Sequence, residues 1–143
     1  MKKVVAMLMG GWLALLACPG AQAQASQAGA KTRVVIQVND DDAKRWNMAL
    51  NNARNIQNDL GASHVEIEVV VFGPGIGMLK ADAATAQRVQ EAKASGIEFR
   101  ACENTMAAFK LKREEMNAAT GYVPSGVVEI IKKEQAGFAY LRP

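Results

Sequence analysis

The chain has 143 residues, with 17 Lys plus Arg, 14 Asp plus Glu, one His, two Cys and a formal net charge of +3. No Lys/Arg block of the kind that grips nucleic acid occurs, and the four Phe and two Tyr are scattered rather than grouped as stacking platforms, so no nucleic-acid partner is expected. Half of the residues are apolar, which supplies one packed core.

Met1-Lys2-Lys3 precedes an uncharged apolar run from Val4 to Ala17 and the small-residue stretch Ala21 to Ala25. That order predicts a secretory signal peptide over residues 1–25, cleaved after Ala23 or Ala25, and a periplasmic destination. The apolar run falls short of the ~20 residues that cross a bilayer, so no membrane span is expected. Leu15-Leu16-Ala17-Cys18 also offers a lipoprotein processing site, although the Ala-x-Ala sites downstream give the ordinary route. Without Lys2 and Lys3 the basic and acidic groups nearly balance, and charge says little about partners. Without Cys18, Cys102 is a single thiol in a compartment where cysteines usually pair.

Residues 26–32 are small and polar and read as a flexible lead-in to one α/β domain over residues 33–143. Arg33 to Val38 is β-branched and reads as a strand, ending in Asn39-Asp40-Asp41-Asp42, a helix-start signal. Trp46, Leu50, Ala53, Ile56 or Gln57, and Leu60 then recur at helical spacing up to Gly61. Five asparagines on that helix (Asn47, Asn51, Asn52, Asn55 and Asn58) are poor helix formers, so something other than propensity retains some of them. Val65 to Phe72 is the strongest strand, alternating at first and then continuously apolar, as a buried parallel strand is. Gly73-Pro74-Gly75-Ile76-Gly77 breaks it, and Asp82 to Ser95 has helical composition closed by Gly96.

Ile97, Phe99 and Ala101 alternate with Glu98 and Arg100 as in a strand, while Asn104 and Thr105 are capping types for a helix predicted over Met106 to Met116. Cys102 therefore falls where strand gives way to helix. A thiol beside a helix amino terminus faces unpaired N–H groups that lower its pKa, although the adjacent Glu103 works against that shift. A short strand and turn over Ala119 to Pro124, a helix from Ser125 or Gly126 to Gln135, and a closing strand over Phe138 to Leu141 complete the chain. Repeated β-α units predict an α/β three-layer sandwich, with a mainly parallel sheet of about five strands and helices on both faces. Chemistry in such sheets sits outside the carboxyl ends of the strands, where Asn39 to Asp42, Gly73 to Gly77 and Cys102 to Thr105 would meet.

Each candidate group has a plainer reading beside it. Cys102 is either a partly exposed reactive thiol or a small buried hydrophobe. His64, the only histidine, stands before the second strand and reads as a solvated loop residue rather than a base for the thiol. The Gly73 to Gly77 run matches neither phosphate-binding glycine motif and reads as a tight turn shaping a pocket near the cysteine. Asp40, Asp41 and Asp42 could hold a cation, but capping explains them without one, and neither metal nor cofactor is expected.

In their order these segments resemble the DsrE/DsrF-like family of small α/β sulfur-relay proteins. The resemblance runs from Val34-Val35-Ile36-Gln37-Val38 and Asn51-Asn52-Ala53-Arg54-Asn55 to Val69-Val70-Val71-Phe72-Gly73-Pro74-Gly75. It continues through Phe99-Arg100-Ala101-Cys102-Glu103-Asn104-Thr105-Met106 to the tail Val123 to Val127 and Gly137 to Pro143. The resemblance implies a doubly wound sheet assembling into trimers or hexamers, with Cys102 at the position of the persulfide-carrying cysteine. The family's tRNA-thiolation members are cytoplasmic, so an exported chain is not expected to share that task. The expectation is an exported sulfur-binding or sulfur-transfer protein that meets a thiol or sulfane-sulfur donor and acceptor. Cys102 would be its catalytic residue, with Gly73, Gly75, Asn104 and Thr105 binding substrate. The alternative is a non-catalytic oligomeric binding module of the same fold, its cysteine buried.

Overall fold

A computed structural model describes residues 29–143. The signal peptide expected over residues 1–25, the possible lipidation site Cys18 and the first part of the lead-in lie outside the described residues. Five strands form one sheet: β1 (Thr32–Val38), β2 (Val65–Val71), β3 (Glu98–Cys102), β4 (Thr120–Val123) and β5 (Ala139–Leu141). Four α-helices alternate with them: α1 (Ala43–Leu60), α2 (Ala86–Ala94), α3 (Glu103–Ala108) and α4 (Gly126–Gln135). Short 3-10 helices occupy Ala62–His64, Gly73–Leu79 and Arg113–Glu115. No helix among the described residues is long and apolar enough to cross a membrane.

The strand order is β4-β3-β2-β1-β5, with every pairing parallel. The chain winds from β1 to β4 in one direction, then returns past β1 to place β5 at the far edge. Right-handed crossovers put helices on one face while winding proceeds one way and on the other face when it reverses. Accordingly α1 and α2 cover one face, where Ile36, Ala49, Leu50, Ile67, Val69, Val89 and Phe99 form the main core. On the other face α4 brings Ile130 over Val35, Val70 and Phe138. Each large side chain fully buried in this way contributes ~1.5 to 3 kcal/mol relative to exposure.

Local chemistry explains where the elements start and stop. The Asp42 carboxylate accepts the Lys44 N–H at 2.8 Å and caps α1, so the acidic run serves the helix. Gly61, at φ +86°, lets the chain leave that helix. Two of the unexplained asparagines have a structural task, because Asn47 and Asn51 accept hydrogen bonds from the Arg88 guanidinium and lock α2 to α1. The helix expected over Met106 to Met116 is not formed: α3 ends at Ala108, Lys110 adopts φ +56°, and Leu111 N–H turns back to Met106 O at 2.9 Å. The helix expected from Asp82 begins only at Ala86.

The glycine run is a 3-10 helix rather than a simple turn, and it packs against the end of β1. A Cβ on Gly75 would lie 2.8 Å from Asn39 Cα and 2.9 Å from Val38 O, both backbone atoms that cannot swing aside. Gly75→Ala is therefore expected to destabilise the protein by roughly 1 to 3 kcal/mol through overpacking. A lowered urea midpoint at unchanged slope would register that loss, whereas an unmoved midpoint would mean the turn retreats freely.

Under α4 lies a buried charge cluster that the alternating pattern of β2 does not announce. Glu68 is 3 % exposed, with Oε2 2.8 Å from Lys133 Nζ and 3.4 Å from Arg100 Nε. Glu98 joins through Arg100 and Glu129 through Lys133, both at 3.7 Å. Lys133 also stands 4.8 Å above the Phe138 ring, which Arg33 approaches at 5.2 Å. These contacts fasten α4 to the sheet.

Candidate functional site

β3 and β4 are neighbours, yet the helices that follow them part: α3 inserts Met106 into the α1/α2-side core, whereas α4 covers the opposite face. Adjacent strands whose connections diverge leave a crevice at their carboxyl ends, the usual ligand position in an open α/β sheet. Cys102 is the last residue of β3 and stands at this crevice, paired with Val123 of β4. Along β3 it shares the α4-side face with Arg100, because alternate strand residues point the same way.

The sulfur is held by hydrogen bonds. Cys102 has extended backbone and acts as the N-cap of α3, its Sγ accepting the Thr105 N–H at 3.4 Å. Asn104 N–H donates to Pro124 O at 3.2 Å, and the same carbonyl lies 4.0 Å from Sγ, so the start of α3 is clipped to the β4–α4 turn. Gly73 N–H donates to Thr105 Oγ1 at 2.9 Å and ties the glycine run to the same point. Gly126, the first residue of α4, comes close because it lacks a Cβ, which would meet Phe72 at 3.0 Å.

Burial pushes the Cys102 thiol up, but the Thr105 hydroxyl and the N–H groups of Gly126, Thr105 and Asn104 together outweigh it and leave the pKa below its ordinary value. The arrangement therefore favours a thiolate, the form that attacks electrophilic sulfur. The partly exposed thiol expected from the sequence is corrected: Cys102 is a free cysteine, buried at 5 % exposure, because the start of α3, through Thr105 N–H, and the β4–α4 turn, through Pro124 O, stand against its sulfur. It nonetheless belongs to neither apolar cluster.

Of the other residues singled out in the sequence, Gly73, Asn104 and Thr105 gather at the sulfur as described. Gly75 does not join them through any hydrogen bond and instead lies against the β1 backbone at Asn39. His64 stands at the opposite, amino-terminal edge, with Nδ1 3.3 Å from Leu60 O. There it lines a hollow of about 380 Å³ with Gly29, Ala30, Lys31, Thr32, Leu60 and Ser63. Asp40 pairs with Arg45 and Arg142, and its carbonyl accepts the Trp46 indole N–H at 2.7 Å. No group of three or more His, Cys, Asp or Glu placed to hold a metal occurs among the described residues.

Pro124 and Gly126 were not foreseen as site residues. They act through a backbone carbonyl and a backbone N–H, which carry no side-chain signature. The one available signal was topological, since the residues after β4 must face those after β3 once the winding reverses.

The model of the DsrE/DsrF-like family matches residues 32–143. Among solved structures, the chain is similar to MTH1491 of Methanobacterium thermoautotrophicum, a protein described as of unknown function. The two share 34 % identity over 79 % of this chain and 100 % of that one, at a TM-score of 0.76. YchN of E. coli shares the fold at 10 % identity, with a TM-score of 0.62 over 80 % of this chain and 99 % of its own. BT1422 of Bacteroides thetaiotaomicron does so at 17 % identity, with a TM-score of 0.60 over 78 % and 94 %. No curated protein matches the chain. The family match spans the whole sheet and the Cys102 crevice, and the chain belongs to the DsrE/DsrF-like family.

Proposed function

We propose that this protein is an exported, periplasmic sulfur carrier in which Cys102 accepts a sulfane sulfur and passes it to another thiol. The observation that supports the reading is a free cysteine at the β3/β4 crevice whose sulfur caps α3, accepting the Thr105 N–H at 3.4 Å beside Pro124 O. In the loading step the Cys102 thiolate attacks the outer sulfur of a donor R–S–SH. A bond forms between the two sulfurs, the donor S–S bond breaks, R–S⁻ leaves with the electron pair, and Cys102–S–SH remains. In the unloading step an acceptor thiolate attacks that outer sulfur and Cys102 departs as thiolate. No redox cofactor is needed, because the sulfane sulfur keeps its oxidation level as one S–S bond forms and another breaks.

The 5 % exposure of Cys102 favours a second reading, a binding module whose cysteine is inert. Ellman's reagent on the native full-length chain separates them, with Cys102→Ser subtracting any signal from Cys18. The carrier reading expects Cys102 to react before denaturation; reaction only in denaturant would establish the inert module.

The carrier is also proposed to be a homo-oligomer. Val127, Val128 and Ile131 on α4 are each about half exposed and adjoin one another on the helix, a patch that a second copy would cover. Light scattering is expected to give a multiple of the monomer mass that Ile131→Lys reduces to the monomer. A wild-type monomer at micromolar concentration would contradict this assembly.

A further inference from the structure

The two flanks of α1 use their amide side chains differently. Toward α2, Asn47 and Asn51 accept from Arg88, and Gln57 donates to Ser95 O at 2.8 Å. Toward the edge strand β5, Asn52 and Asn55 make no side-chain hydrogen bond among the described residues, although asparagine is a poor helix former. They stand one helical turn apart and line a hollow of about 470 Å³, walled by Ile56 and Leu141, in which Asp59 is the one charged group. Asp59 has no ion-pair partner among the described residues. The wall is held from both sides, since Tyr140 Oη donates to Gln37 at 2.8 Å and Pro143 O accepts Arg45 Nη1 at 2.8 Å.

Leu60, 48 % exposed, belongs both to this hollow and to the one at the amino-terminal edge, so the two adjoin there as one groove. The second hollow has the opposite character, with Lys31 beside the hydroxyls of Thr32 and Ser63 and no carboxylate in its lining. Its histidine is spent on structure. A carbonyl oxygen only accepts, so His64 Nδ1 donates to Leu60 O at 3.3 Å over the end of α1. Gly61 makes room for the ring, because a Cβ there would lie 3.1 Å from that nitrogen. The positive charge of this end therefore rests on Lys31.

We propose that this groove binds a short peptide with free ends. Its amino half lies in the first hollow, where Asp59 meets the ammonium and the Asn52 and Asn55 carboxamides meet the peptide group. An apolar side chain packs on Leu60, and the carboxylate reaches Lys31. A carboxamide carries both a donor and an acceptor, as a peptide group does. Opposite charges at the two ends with an apolar residue between them suit a dipolar ligand, whereas nucleic acid or an anionic membrane would call for one sign of charge throughout. The groove is remote from the Cys102 crevice, and the proposal stands whether or not that cysteine carries sulfur.

The test follows nitrogen-15 spectra of the full chain during titration with the tripeptide Gly-Leu-Gly, its N-acetyl form and its C-terminal amide. The free tripeptide is expected to bind weakly, in the millimolar range, and to shift the Asn52 and Asn55 carboxamide signals while those of Thr105 and Gly126 stay in place. Blocking either end is expected to weaken binding about fivefold, the size of one exposed charge contact. Asp59→Asn is expected to weaken the free peptide by the same factor and to leave the acetylated form unaffected. Lys31→Gln is expected to do likewise for the amide. Both replaced side chains are exposed, so the variants keep the fold. Unmoved spectra at tens of millimolar peptide, or equal affinities for the three peptides, would overturn the proposal. So would an Asp59→Asn loss that is the same for free and acetylated peptide. Carboxamide shifts that follow protein concentration without any peptide would give the groove to a second copy of the chain and equally refute it.

Discussion

Lys133→Met is expected to destabilise the protein by roughly 2 to 4 kcal/mol, a large effect for a residue on an outer helix. The ammonium stands 2.8 Å from a carboxylate whose side chain is 4 % exposed, while Lys133 itself is 20 % exposed. Removing one partner of a buried pair strands the other charge, whose desolvation cost is then uncompensated. Arg100 Nε at 3.4 Å would remain as partial relief, which places the estimate below a complete loss of pairing. Methionine keeps much of the aliphatic stem, so the experiment reports the charge rather than lost packing. Glu68→Leu combined with Lys133→Met is expected to recover most of the loss, since an apolar pair of similar volume needs no desolvation. Urea midpoints for the four proteins of the cycle decide it, and a single Lys133→Met midpoint equal to wild type would show that the cluster is energetically idle.

Cys102→Ser is expected to remove sulfur transfer from glutathione persulfide to free cysteine, a fall of roughly two orders of magnitude or more to the rate of donor and acceptor alone. The substitution is conservative in every respect but the nucleophile. Serine is a preferred N-cap, so Oγ can accept the Thr105 N–H that Sγ now accepts at 3.4 Å, and α3 should keep its start. A hydroxyl is not ionised by this cradle at neutral pH and does not form a persulfide. Thermal unfolding near the wild-type temperature together with lost transfer would place the defect in the chemistry. Retained transfer would move it to another part of the protein.

The architecture was legible because its signals are local and repeated. Val65 to Phe72, with its continuous apolar run, could be little else than a buried parallel strand, and the helix starting at Asp42 announced itself by its cap and by Trp46, Leu50 and Ala53. The position of Cys102 at a strand-to-helix junction was readable for the same reason. Features set by tertiary structure were not. The burial of Cys102 follows in part from the β4–α4 turn, which brings Pro124 O to the sulfur from 22 positions away, and no property of its own neighbours encodes that. Glu68 looked like the polar phase of an alternating strand, because pairing with Lys133, 65 positions later, depends on α4 crossing to the second face. The early end of α3 was hidden too, since Met106, Phe109 and Arg113 keep helical spacing while Leu111 N–H folds back on Met106 O.

The most direct measurement is the intact mass of the full-length chain after incubation with glutathione persulfide, run beside Cys102→Ser. The account predicts an added mass of about 32 Da on wild type that dithiothreitol removes and that Cys102→Ser does not acquire. No added mass on wild type, or the same addition on both proteins, would contradict the assignment of Cys102 as the sulfur carrier.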